Sequence, residues 1–437
     1  MNFSSKKKTF AVQGLAFAVA SIMLTPAFAQ TVDQKELAQL RAEVAELKAL
    51  MQQQQQVQAQ QQQIQQQQQA QIAQATETAK NVKKSGFLSA KDAEVNFYGF
   101  VRGDANYIID GADDDFNKVN TVGGSTKSVK DKLRATAKTT RFGFDFNTLV
   151  NGYKVGGKIE ADFAGDKETV RLRQAYVTYD NWLFGQTTST FLSNHAPEMI
   201  DFNTNVGGGT KRLPMVRYAH SFSPDTKLFV ALEESETAGA TVNRITPTTK
   251  SSLPVLTAKL TQNIGDNANA SVRAFVENYK VEAASIDNSK SKTAWGAAAG
   301  VTYAPIKELQ LKADASYVKG NKDYLYGSND AYRVVNGDVA QNEFTAVEVG
   351  ATYKITEKLR TTLAYGALFA DTGTDFAKAS LNDINQNKRV QQAWINLIYS
   401  PVKPLDLGIE YINGQRKTFD NQKFDDDRVG FMAKYSF

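Results

Sequence analysis

From Val95 to the end of the chain, apolar and polar positions alternate with a period of two. In VNFYGFVRGDANYII, Phe97, Val101 and Tyr107 lie on one face, and Arg102, Asp104 and Asn106 on the other. The alternation recurs in RFGFDFNT, VRLRQAYVTYD, ASVRAFVENYK, AWGAAAGVTYA, LQLKADASYV, AVEVGATYKI, LRTTLAYGALF and VQQAWINLIYS. Each stretch predicts a strand with two unlike faces. No helical period intervenes that could cover a parallel sheet, so the sheet is expected to be antiparallel. Sixteen strands are expected, at 95–109, 133–146, 153–162, 168–179, 182–187, 211–221, 226–234, 254–262, 270–281, 292–303, 308–319, 343–354, 357–369, 388–399, 405–413 and 424–437.

The connections alternate in length. Short ones fall around Asn151-Gly152, Asp180-Asn181, Ser223-Pro224-Asp225, Gly265-Asp266, Ala304-Pro305 and Ser400-Pro401, and long ones at 110–132, 188–210, 235–253, 320–342 and 370–387. This rhythm, with an even strand count, predicts an all-β fold: a sixteen-stranded antiparallel transmembrane barrel over residues 95–437. Both ends then lie on the short-turn side, where Val429, Phe431, Ala433, Tyr435 and Phe437 form one face of the closing strand. A soluble β-sandwich is the competing fold. It accounts less well for so many consecutive long strands with Tyr98, Tyr107, Tyr179, Trp182, Tyr218, Tyr279, Tyr303, Tyr353, Tyr399 and Tyr435 near their ends.

The first ninety residues have other periods. Lys6 to Lys8 precede a mostly apolar run from Phe10 to Leu24 and the small-residue site Ala27-Phe28-Ala29, so 1–29 reads as a signal peptide and Gln30 as the first mature residue. Leu37, Leu40, Val44, Leu47 and Met51 follow heptad spacing, and a glutamine-rich stretch with Val57, Ile64 and Ile72 continues it with a stutter. An N-terminal α-helical coiled coil is therefore expected in the periplasm over 30–80, with a disordered low-complexity tract as the competing reading of Gln52–Gln71, and 81–94 as linker.

Charge and composition narrow the function. Losing the three leader lysines lowers the formal charge from +5 to +2, which gives no footprint for nucleic acid. The chain has two His and no Cys, so no metal, no cofactor and no cysteine nucleophile is called for. His220 with Ser221 or Ser223 makes a poor hydrolase because strand neighbours point to opposite faces and no G-x-S-x-G elbow is present. NVGGGTKR at 205–212 lacks phosphate-loop spacing and fits a pore loop. The expectation is a channel and not an enzyme.

A barrel of this size encloses an aqueous lumen. Arg102, Arg141, Lys158, Arg171, Arg173, Arg273, Arg360, Arg389 and Arg428 fall in or beside predicted strands, where facing lipid costs about 2 to 4 kcal/mol near the midplane. They are expected to face the lumen or a protein interface, with Asp104, Asp145, Glu160, Glu277 and Asp314 as counter-charges. For any one arginine a structural ion pair competes with solute contact. The 188–210 connection, between strands five and six, is expected to fold inward as a constriction, with His195, Glu198 and Asp201 as its candidate residues and an ordinary external loop as the competing reading.

The signal segment ending AFAQ, the heptads, the glutamine tract, AEVNFYGFVRGDANYI and the closing GFMAKYSF together resemble the DcaP family, outer-membrane dicarboxylate channels of Acinetobacter, over essentially the whole chain. The resemblance implies a homotrimer in a Gram-negative outer membrane, in contact with lipid and lipopolysaccharide. It further implies passage of negatively charged dicarboxylic solutes and some β-lactam-type compounds. A nonselective porin is the first alternative. The second is an envelope protein near peptidoglycan that works through residues 31–90.

Overall fold

The structure, a computed structural model, describes residues 93–242, 246–286 and 288–437; the expected signal peptide, the coiled coil and most of the linker lie outside the described residues. Sixteen barrel strands follow in order: β1 (Glu94–Ala112), β2 (Ser128–Thr136 and Arg141–Val150), β3 (Tyr153–Asp162), β4 (Arg171–Tyr179), β5 (Trp182–Thr188), β6 (Arg212–Ser221), β7 (Thr226–Glu233) and β8 (Thr248–Lys250 and Val255–Ile264). The second half comprises β9 (Ala268–Glu282), β10 (Lys290–Ile306), β11 (Leu309–Lys319), β12 (Glu343–Thr356), β13 (Leu359–Ala370), β14 (Asn387–Val402), β15 (Leu405–Thr418) and β16 (Lys423–Ser436). Each pairs antiparallel with the next, and β1 pairs with β16, so the sheet closes and no edge is left open. A small hairpin, Tyr332–Val335 with Asp338–Gln341, sits in the connection between β11 and β12 outside the barrel sheet. One short helix, α1 (Asp375–Ala379), follows β13.

The spans agree with the alternation, with interruptions in β2 and β8. β1 pairs with both segments of β2, which is broken at 137–140. There the ladder is replaced by side chains: the Arg102 amide donates to Thr140 Oγ1 at 3.1 Å, and Thr139 Oγ1 donates to Asp104 at 3.0 Å. Closure ends with Phe437, whose backbone exchanges bonds of 3.0 and 3.1 Å with Gly99.

The outward face is apolar, with Val101, Leu133, Ile159, Val177, Leu363 and Ile395 all exposed. At the short-turn end it carries exposed Tyr153, Tyr179, Trp182, Tyr303, Tyr353, Tyr399 and Tyr435, an aromatic girdle of the kind that marks a membrane interface. Among the described residues no helix is long and apolar enough to cross a membrane. The main apolar cluster lies inside the wall, where Phe191 and Leu192 pack with Phe275, Tyr279, Tyr324 and Tyr332.

Candidate functional site: a constricted lumen with one basic wall

The connection between β5 and β6, residues 189–211, is the third on the long-loop side and runs inside the barrel. Its fastenings pass from strand to strand. The Thr190 amide donates to Glu233 at 2.7 Å, Ser193 Oγ donates to Asp314 at 2.6 Å, and Lys312 Nζ donates to the Ala196 carbonyl at 2.8 Å. Further along, Trp394 Nε1 and Asn396 Nδ2 donate to the Glu198 carbonyl, and Glu410 accepts both the Ile200 and Asp201 amides at 2.8 Å. The loop thus lies against the lumenal wall from β7 to β15.

Inward-facing glycines make room for it. A β-carbon on Gly350 would come within 2.7 Å of the Pro197 ring, and one on Gly408 within 2.6 Å of Ile200 Cδ1. At Gly366 it would strike the Val206 carbonyl. Gly207 has φ of 91°, and a side chain on Gly209 would meet the Tyr324 carbonyl, so the glycine run of 207–209 serves close packing of this loop.

The three candidates in the loop have different surroundings. His195 is buried, with Nδ1 at 2.9 Å from Thr302 Oγ1 and Nε2 at 2.9 Å from Ser271 Oγ, and pins the loop to β9 and β10. Asp201 is also buried and accepts the Asn117 amide at 2.8 Å, tying the loop to the β1–β2 connection. Glu198 alone retains exposure, and forms a bidentate pair with Arg360 at 2.9 to 3.1 Å.

The basic residues divide likewise. Arg102 pairs with Asp104, donates to the Ile200 carbonyl and lies over Phe202; Arg273 pairs with Asp314; Arg428 pairs with Asp426 under the β1–β2 connection. All three are buried and serve as braces. Arg389 differs from the pore-wall expectation. It shares parity with exposed Ile395 and Leu397 while buried Val390 and Gln392 face inward, so it stands on the outside of the barrel.

The remaining cations form one wall. Arg171 grips Asp162 at 2.7 and 2.9 Å, Arg173 bridges Glu160 and Asp162 at 2.9 and 2.7 Å, and Arg141 lies 3.6 Å from Glu160. Lys158 sits over the Tyr98 ring, whose hydroxyl donates to Glu160. A β-bulge aims Arg173 inward: Glu160 pairs with Gln174 and Ala161 with Leu172, leaving Arg173 as the extra residue. Arg212, which the sequence reading left out, adds to the positive field around Arg141 and Arg173. Cations here outnumber Glu160 and Asp162, and Nε of both Arg141 and Arg212 is buried without an acceptor. Beside them opens a cavity of about 520 Å3 lined by Arg171, Arg173, Lys211, Arg212, Lys322 and Asp323. Burial pushes the Asp323 carboxyl up to about 6, against the pull of Lys211 and Lys322.

The chain matches the family of DcaP outer membrane proteins over residues 23–437. The crystal structure of the outer membrane channel DcaP of Acinetobacter baumannii is 56% identical, covers 80% of this chain and 99% of its own, and superposes with a TM-score of 0.75. Two further structures share the fold: an anion-selective porin from Comamonas acidovorans (13% identity, 79% and 100% coverage, TM-score 0.53) and OprB of Pseudomonas putida (12%, 82% and 96%, 0.51). Comparison with the curated proteins returned no match. A closed sixteen-stranded barrel with an internal loop is the architecture of an outer-membrane porin, and the chain belongs to the DcaP outer membrane protein family.

Proposed function

We propose that this porin passes small anionic solutes passively, with dicarboxylates as the preferred class and negatively charged β-lactam-type compounds as further solutes. The observation that carries the reading is the basic wall, where Arg141, Arg171, Arg173 and Arg212 outnumber the carboxylates beside them, Glu160, Asp162 and Asp323, and two guanidinium Nε groups lack acceptors. A carboxylate arriving there meets planar donors suited to two-point pairing, and two carboxylates on one solute engage two neighbouring arginines. The rest of residues 189–211 narrows the lumen opposite.

In this reading the long loops face outward and both ends lie in the periplasm, with 1–29 removed, 30–80 a coiled coil and 81–94 a linker, and with residues 31–90 near peptidoglycan. A homotrimer fits the outward faces of β1, β2, β15 and β16, where Gly103, Ala105, Ala135, Leu407 and Ala433 help line an apolar depression of about 840 Å3 that admits close approach of a neighbour. A weakly selective porin is the second reading, favoured by the neutralisation of Arg102, Arg273, Arg360 and Arg428 in ion pairs.

The test is the zero-current potential of the purified protein in planar bilayers under a salt gradient, repeated with succinate or phthalate on one side. Anion preference with solute-dependent block supports the first reading. An ohmic pore indifferent to both overturns it in favour of the second.

A further inference from the structure

Arg416 is wholly buried at the long-loop end of β15, yet its hydrogen bonds go to neutral oxygens. Nε donates to the Val122 carbonyl at 2.7 Å, and Nη1 donates to the Ile384 carbonyl at 2.9 Å, Asn387 Oδ1 at 3.1 Å and the Asn120 carbonyl at 3.4 Å. The guanidinium also lies over the Phe424 ring, 4.7 Å from its centre. A buried cation is costly unless dipoles replace the water it has lost. Here the dipoles come from the β1–β2 connection, the β13–β14 connection and the start of β14, so the guanidinium they solvate also ties them together. Gly124 permits the approach, since a β-carbon there would come within 2.7 Å of Arg416 Nη2.

The tie extends to a third connection. Asn387 Nδ2 donates to the Asn120 carbonyl at 2.9 Å, and Asn387 exchanges bonds of 2.6 and 2.8 Å with Asn329 in the β11–β12 connection. The joined segments lie inside the barrel mouth. Val119 packs with Val206 of the constriction loop and Val390 of β14, and a β-carbon on Gly414 of β15 would come within 3.0 Å of it. The Lys118 amide donates to Asp426 of β16 at 2.7 Å. Tyr326, in the β11–β12 connection, donates its amide to the Gly208 carbonyl at 2.8 Å and its hydroxyl to the Asn117 carbonyl at 3.3 Å. These segments therefore form a second layer over residues 189–211, on the β14–β16 side of the lumen. The edge of that layer, with Asn120, Tyr326 and Ser328, lines the same cavity as Arg171, Arg173 and Arg212 of the basic wall.

We propose that this layer is a fixed lid, pinned by Arg416, which closes the β14–β16 side of the long-loop mouth and leaves a slot beside the basic wall as the entrance. The lid limits solute size before the constriction is reached. Arg416 is a positioning residue, holding the edge of the slot without touching the solute. The lid acts by excluded volume, so the assignment does not depend on which ion the lumen prefers or on which way the barrel sits in the membrane.

The experiment is one-sided polymer exclusion on the purified full chain in planar bilayers. Poly(ethylene glycol) of increasing mass is added to one chamber at a time, and the fall in unitary conductance reports which sizes enter that mouth. Arg416→Met keeps an unbranched stem against Phe424 and removes every bond to the connections. The largest polymer admitted is expected to increase at one mouth and to stay unchanged at the other. Val119→Glu places a charge between Val206 and Val390 and displaces the same layer without touching the pin. It gives the same one-sided shift should Arg416→Met fail to fold. Heat-modifiable gel mobility establishes that each variant is a closed barrel. Unchanged limits at both mouths in the folded variants overturn the proposal. An equal increase at both mouths places the change in residues 189–211, which both sides meet, and overturns it as well.

Discussion

Pro197 lies against Gly350, and a β-carbon at that glycine would come within 2.7 Å of the proline ring. The loop that narrows the lumen is therefore seated in a groove cut into the wall by missing side chains. Gly350→Leu fills the groove and pushes the loop toward the lumen axis. Unitary conductance is expected to fall while the barrel stays closed on gels, at a stability cost of about 1 to 3 kcal/mol for overpacking.

Glu198 and Arg360 form a half-exposed bidentate pair, yet the loop at that point is also held by Trp394 and Asn396 through the Glu198 carbonyl. Glu198→Gln should leave the loop in place and release a guanidinium to the lumen. Anion preference is expected to rise, by about twofold for one screened charge, with little change in conductance; reversal potentials measure it.

Arg173 bridges Glu160 and Asp162, but Arg141 and Arg171 remain beside those carboxylates when it is removed. Arg173→Ala/Arg212→Ala takes two charges from the basic wall without leaving either acid alone. Anion preference and dicarboxylate block should both weaken, the latter by about tenfold if one bidentate contact is lost. Unchanged block would place solute recognition elsewhere.

Asp323 gives the cavity a pH dependence. Its carboxyl, raised to about 6 by burial, is ionised at pH 7.5 and neutral at pH 5, so acidification leaves Lys211, Lys322 and the arginines less compensated. Block by an anion that stays fully charged across this range, such as a disulfonate, should strengthen as pH falls through 6. Asp323→Asn should show the strong block at both pH values, and titration of block against pH distinguishes the two.

Much of the barrel was legible because lipid on one side and water on the other impose a period of two; the expected and observed limits of β3 coincide at 153–162, and even the short β5 was found. Parity alone also places Arg389 outside, on the same face as Ile395 and Leu397, although its charge suggested the lumen. The bulge in β4 works the other way. Arg171 and Arg173 share parity with outward Ala175, Val177 and Tyr179, and only the extra residue turns them inward, which no local pattern announces. Arg102 and Arg273 pair with Asp104 and Asp314, both expected as counter-charges, whereas Asp426, the partner of Arg428, was not among them; which arginine braces the wall and which meets a solute is decided by a carboxylate two residues along or on a distant strand.

The ring closes where Phe100 pairs with Ser436, residues more than three hundred positions apart. A chain emerging from its amino end must carry β1 with a naked edge until nearly every other strand exists. Loop-closure entropy makes that last pairing slow, and an exposed edge is a template for wrong partners. The architecture that leaves the finished channel without edges thus makes its biogenesis depend on something that shelters the first strand while the rest is made.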